Sequence, residues 1–220
     1  MQKIILSVFA ILALVVNLHA QHTEGHISYS IDFSSSQPDF QMYAGMLQGS
    51  KMDIYFTKGK SRAEMKMGTI METTTITEES SGKILTLMSG MMGKKAIHSN
   101  QSDAANEVPK DDFKVELVNE TKDIAGYKCK KALITNPEGN VYTFWYTEEV
   151  KMTTKGQKYF DGYGIPGMAM EFEIAEQGMN MKMSATLLEK KLPKKDKLFS
   201  MEVPEGYTVM TQEELMKMGQ

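Results

Sequence analysis

The 220-residue chain carries 25 Lys plus Arg against 28 Asp plus Glu, a net charge of −3, and suits one large-cored domain. Arg62 is its only arginine, so the bidentate chemistry that grips phosphates and base edges is nearly absent, which argues against nucleic acid as a partner. A single cysteine, Cys129, rules out an intramolecular disulfide, while 20 methionines are the unusual feature of the composition.

In chain order, Lys3 precedes an almost unbroken apolar run from Ile4 to Val16, closed by Leu18-His19-Ala20. This reads as a cleavable signal peptide, residues 1–20, with a cut after Ala20 and a single domain over 21–220. The run is shorter than the roughly 17–25 apolar residues that span a bilayer, and no later segment is longer, so the expected protein is exported and not membrane-spanning. Loss of Lys3 with the leader leaves 24 basic against 28 acidic residues, a net charge of −4.

Period-two patterning dominates the chain beyond the leader. HISYSIDF (His26–Phe33) alternates, and Lys51–Met67 reads as two strands joined at Thr57-Lys58-Gly59-Lys60. Strands are expected at Thr69–Thr77, Lys83–Met88, Phe113–Asn119, Gly126–Thr135 and Val141–Thr147. Two methionine-rich strands come next, over Met168–Ile174 and Met179–Leu187 and joined at Glu176-Gln177-Gly178, and Leu198–Val203 is read as a last strand. Two segments read as helices: Pro38–Gln48, with Phe40, Tyr43, Ala44 and Leu47 on one face, and a short C-terminal one opened by the capping-box pattern Thr211–Glu214. SNQSDAANEVPKDD (Ser99–Asp112) has no period and reads as an exposed loop. About ten strands with few helices predict a mostly antiparallel sheet.

Enzymatic signals are thin. No GxSxG elbow, HExxH helix or phosphate-cradling glycine loop is present. His22 and His26 lack a third ligand and read as surface or strand-end residues, and Cys129 reads as a small buried hydrophobe. No catalytic residue, metal ligand or cofactor is therefore assigned. A hydrolase built on an acid–nucleophile cluster remains a rival class.

The methionines set the main question. Met168, Met170, Phe172 and Ile174 alternate on one strand, and Met179, Met181, Met183, Ala185 and Leu187 on the next. Copper(I) favours such soft thioethers. The stripe nevertheless continues through Phe172, Ile174, Ala185 and Leu187 and includes no histidine, so an apolar face accounts for all of it. Unbranched methionine specifies shape poorly and suits varied apolar guests.

The pieces IAGYKCKKALI, VYTFWYT, GIPGMAMEF and FSMEVPEGY, with EGHISYSI and GKSRAEM upstream, resemble secreted proteins of Gram-negative bacteria. GIPGMAMEF is similar to the hallmark of the GLPGLI family, and the order of pieces looks like a domain of unknown function related to the lipoprotein carriers LolA and LolB. That resemblance implies a mainly β fold, a curved antiparallel half-barrel with a few short helices covering its concave face, which accepts acyl chains in the carriers. The carriers' cavity arginine has no match, because Arg62 alternates with Glu64 and Lys66 on a polar face.

The expectation is a periplasmic or secreted, non-enzymatic protein that binds an apolar small molecule or acyl chain. Its candidate lining is Met65, Met67, Met168, Met170, Phe172, Met181 and Met183, covered by Phe40, Tyr43 and Leu47. The alternatives are a copper(I)-binding protein using the methionine-rich strands and a structural cell-envelope protein; a cell-envelope protein partner is compatible with each.

Overall fold

A computed structural model describes residues 23–37, 40–91, 93–100, 113–150, 165–176, 179–192, 198–211 and 213–214. The signal-peptide reading, most of the 99–112 loop and the end of the C-terminal helix lie outside the described residues.

The elements in order are β1 (Gly25–Ser35), α1 (Phe40–Leu47), β2 (Lys51–Thr57), β3 (Lys60–Met67), β4 (Met71–Glu78), β5 (Lys83–Gly90) and β6 (Lys95–Asn100). After them come β7 (Lys114–Ile124), β8 (Tyr127–Thr135), β9 (Val141–Thr147), β10 (Met168–Glu176), β11 (Met179–Glu189) and β12 (Thr208–Met210). All twelve strands form one sheet in the order β12-β6-β5-β4-β3-β2-β1-β11-β10-β9-β8-β7. Pairing is antiparallel except where β12 lies parallel to β6. β1 is the hinge of the topology: it pairs with β2 on one side and with β11, from the far end of the chain, on the other.

Alternation accounts for the faces. Ile27, Tyr29 and Ile31 of β1 and Ile54 and Phe56 of β2 point inward and are buried, while His26, Ser28 and Tyr55 take the outer face. The inner core joins these residues to Ala132, Ile134, Phe144, Tyr146, Phe172 and Met183. The sheet is strongly curved: Tyr127 on β8 donates its hydroxyl to the Leu188 carbonyl on β11 at 3.2 Å, reaching past two strands.

Several expectations are corrected. Leu198–Val203 is not a strand. The C-terminal segment instead crosses the outer face of β4–β6, where Met201, Val203 and Tyr207 cover Ile76, Leu85, Leu87 and Ala96. Sequence patterning also misses β6 and β12. β6 is the short KAIHSN, whose apolar residues Ala96 and Ile97 are adjacent and buried on both faces, so it shows no alternation.

The helices do not cover the concave face as the resemblance implied. α1 is eight residues, about 12 Å long at 1.5 Å per residue, against a sheet of twelve strands some 50 Å wide at about 4.8 Å each. It is tied to the sheet margin: Met46 O accepts from Thr69 N at 2.9 Å and Leu47 O from the Ser50 hydroxyl at 2.6 Å. The approach is so close that a Cβ on Gly68 would lie 1.8 Å from Met46 O. The capping box is present, with Thr211 N donating to Glu214 Oε2 at 2.8 Å and Glu214 N to Thr211 Oγ1 at 3.2 Å.

Candidate functional site

The inner face divides into a sealed part and an open part. Register sets Ile31, Met183, Phe172 and Phe144 in one row across β1, β11, β10 and β9. Phe144 and Phe172 stack at 5.1 Å between ring centres. Met168, Met170, Phe172 and Met183 are each at most 4 % exposed. Four of the residues expected to line a ligand site are thus packed into the core, with Met65 and Met181 half-buried against it.

Two β-bulges break the predicted stripes. The β9–β10 register shifts between Ala169 and Glu171, so Ala169 lies opposite Tyr146, Met168 lies opposite Thr147, and Met168, Ala169 and Met170 are all buried. An extra residue locally disrupts the ladder, and the Ala169 carbonyl accepts from the buried Tyr29 hydroxyl at 2.6 Å. The second bulge lies in β11: Leu187 pairs with Ser28 but Ala185 with Tyr29, leaving Thr186 as the extra residue. Leu187, expected inside, is therefore 39 % exposed, and Leu188 is buried in its place.

The open part is the same face of β3, β4 and β5. The rows here are Met52–Met65–Thr73–Met88 and Met67–Met71, beside Ala63–Thr75–Thr86. Met65, Met67, Met71, Ile84 and Met88 are half-buried, and of these only Met65 packs against a core cluster. Phe40 and Leu47 are half-buried on α1. The side chain of Tyr43 lies outside the described residues. Trp145 is on the outer face, because Phe144 and Tyr146 take the inward positions; Lys122 and Lys131 hold their ammonium groups 5.7 and 5.8 Å from its ring centre.

A polar cluster that sequence reasoning missed lies on the outer face at the centre of the sheet. His26 stacks on Tyr55 at 4.2 Å; its Nε2 is 3.0 Å from Asp53 Oδ1 and 3.1 Å from Ser28 Oγ, and its Nδ1 is 3.5 Å from Glu189 Oε2. Ser28 donates its hydroxyl to Asp53, and Lys51 Nζ lies 3.2 Å from Asp53 Oδ2. Burial pushes the Asp53 carboxyl up, but the hydrogen bonds from Ser28 and His26, together with Lys51, outweigh it and hold the group below the usual carboxylate range. The cluster links side chains of β11, β1 and β2 on the outer face. The alternation in HISYSID placed His26 and Ser28 on one face, but only the β1–β2 and β1–β11 registers bring Asp53 and Glu189 to them.

Among the described residues, no group of three or more His, Cys, Asp or Glu is arranged to hold a metal, and no helix is long and apolar enough to cross a membrane. Cys129 is fully buried, and burial pushes its thiol up to about 11.

Residues 48–203 match the family described as N-glycanase peptide, N-terminal domain. The chain belongs to this family. No curated protein matches it. Among solved structures it is similar to PNGF-II, with 14 % identity over 89 % of this chain and 32 % of that one and a TM-score of 0.45. It is also similar to MucB in complex with MucA(peri), with 12 % identity, 86 % and 58 % coverage and a TM-score of 0.44. A LolA superfamily protein from Nitrosomonas europaea is similar at 11 % identity, 81 % and 90 % coverage and a TM-score of 0.26. The chain thus spans about a third of PNGF-II and under two thirds of MucB. The GLPGLI kinship expected from GIPGMAMEF has no counterpart in these matches.

Proposed function

We propose that this N-glycanase N-terminal-type domain is an exported, non-catalytic binding module that holds an apolar ligand, such as an acyl chain, on its inner face. The observation that supports it is the uneven sealing of that face. Where β1, β10 and β11 meet, the methionines are core; on β3–β5, Met65, Met67, Met71 and Met88 keep part of their surface free. Half-exposed apolar side chains on adjacent strands make a continuous contact surface, and flexible thioethers adapt to a guest of variable shape. Of the expected lining, Met65 and Met67 belong to this half-buried surface, with Phe40 and Leu47 half-buried on α1.

Export by the 1–20 leader and a periplasmic or secreted location belong to the same reading. The family name raises a second possibility, that the domain serves a glycan-cleaving protein as its non-catalytic part; the full chain is then expected to release no glycan from a denatured glycoprotein.

Native mass spectrometry with long-chain fatty acids tests the main reading. Saturable binding by the wild type, lost when Met65 and Met88 are replaced together by Asp, is expected. No acyl binding by a folded wild type overturns it. Trp145 emission is expected to stay constant on binding, because the ring is on the opposite face.

A further inference from the structure

The open end of the inner face carries chemistry that apolarity alone does not require. Met67 and Met71 are direct partners across the β3–β4 pair, and Met65 and Met88 flank Thr73 from the strands on either side. Met71 precedes Thr73 by two positions on the same strand and so shares its face. Directly opposed residues in an antiparallel pair are about 4.5–5.5 Å apart at Cα, and residues two along a strand about 6.6 Å. Four flexible thioethers therefore surround one short threonine side chain, over which they can lean together.

We propose that Met65, Met67, Met71 and Met88 form a copper(I) site on the open face of β3–β5. Thioether sulfur is a soft ligand that selects copper(I) over harder ions. On β2–β5 the register gives this face only apolar, methionine, serine and threonine side chains, so no carboxylate or imidazole competes there for a harder or more oxidised ion. His98 pairs with Leu85 on the outer face, and Cys129 is fully buried, so neither supplies a ligand.

A packing role explains three of the four methionines poorly. Among the described residues, Met67, Met71 and Met88 belong to neither core cluster. Strands favour β-branched residues, and the same face uses them at Thr73, Thr75, Thr77, Ile84 and Thr86. The methionines stand where side chains are half-exposed, which leaves an entry path for an ion. The four methionines that alternation alone would pick, Met168, Met170, Met181 and Met183, are not this site: three are sealed in the core, and Met170 is displaced by a bulge.

Copper(I) binding at these positions does not depend on the apolar-ligand reading, because leucine keeps the volume of methionine and removes its sulfur. The test is a competition titration of the full chain with copper(I) and a colorimetric chelator under reducing conditions. It compares wild type with the variant Met67→Leu, Met71→Leu, Met88→Leu. Wild type is expected to retain one equivalent. The variant should hold it about 100-fold more weakly or worse, since even outer-shell changes cost roughly 10–100-fold in metal affinity. Equal copper(I) retention by the two proteins, or none by wild type, overturns the proposal. If the variant fails to fold by circular dichroism, X-ray absorption of the copper(I)-loaded wild type decides: a sulfur-only shell supports the site, and nitrogen or oxygen ligands overturn it.

Discussion

Tyr29, on the strand that joins the two halves of the sheet, donates its hydroxyl at 2.6 Å to the carbonyl of Ala169, 140 residues further along the chain. The two elements are not neighbours: β11 lies between them. The carbonyl belongs to a bulge, and the tyrosine ring is 1 % exposed. Burial raises its ionisation far above that of a free tyrosine.

Removing that hydroxyl leaves a buried carbonyl without its partner. Tyr29→Phe is expected to cost about 1–3 kcal/mol, the desolvation penalty of an orphaned acceptor, read as a lower midpoint in urea. In an alkaline absorbance titration, Tyr29 should ionise only as the chain unfolds.

Asp53 predicts how the sheet responds to acid. Its folded pKa is depressed, so its contribution is fully present above the unfolded value of about 3.9. That contribution is lost as pH falls through the folded value. Asp53→Asn is expected to lower stability at pH 7 by up to about 1.5–3 kcal/mol, the scale of hydrogen bonds to a charged group. It should also flatten the fall in stability below about pH 4. Denaturation midpoints from pH 7 to 2.5 check both; an unchanged acid limb would show that the cluster is not what couples proton binding to folding.

Two glycines should respond in opposite directions. A Cβ on Gly167 would stand 2.1 Å from Thr147 O and 2.8 Å from Thr147 C, and backbone cannot yield as a side-chain tip can. Gly167→Ala is expected to destabilise by about 1–3 kcal/mol or more. Gly45, inside α1, has nothing within 4 Å of its Cβ position, so Gly45→Ala should stabilise by about 0.4–1 kcal/mol. Paired urea titrations check the two signs.

Cys129 is expected to resist alkylation. With no exposed surface and its thiol pushed up to about 11, it holds little thiolate at pH 8. Mass spectrometry after iodoacetamide should find it unmodified in the native chain and modified in urea. Rapid labelling of the folded protein would contradict its burial.

The strands were legible where one face is apolar and the other wet. HISYSIDF, the Lys51–Met67 hairpin and GYKCKKALIT all carry that signal, and they fold as β1, β2, β3 and β8. KAIHSN and TVM carry too few residues to show a period, and FSMEV mimics a strand although it serves as a cover for another face. Of the candidate site, the period-two pattern read Met65 and Met67 correctly as one face of a strand. It also counted Leu187 inward along an unbroken strand, and a bulge in β11 moved it to the outer face and buried Leu188 in its place. An extra residue in a strand leaves no mark in composition or period, because it arises from how the strand meets its neighbour.

Local order in the chain was sufficient for a methionine-bearing antiparallel sheet with a buried cysteine and a polar outer row, because alternation and turn residues act within a few positions. Which methionines become core and which stay open depended on long-range pairing. β1 docks on β11 from the far end of the chain, the sheet curls where Tyr29 reaches Ala169, and burial follows that curvature. The same pairing drew His26, Asp53 and Glu189 from three strands into one cluster. Contacts between residues far apart in sequence form only when whole strands pair, and local alternation orients a strand's faces without naming the distant strand it will pair with.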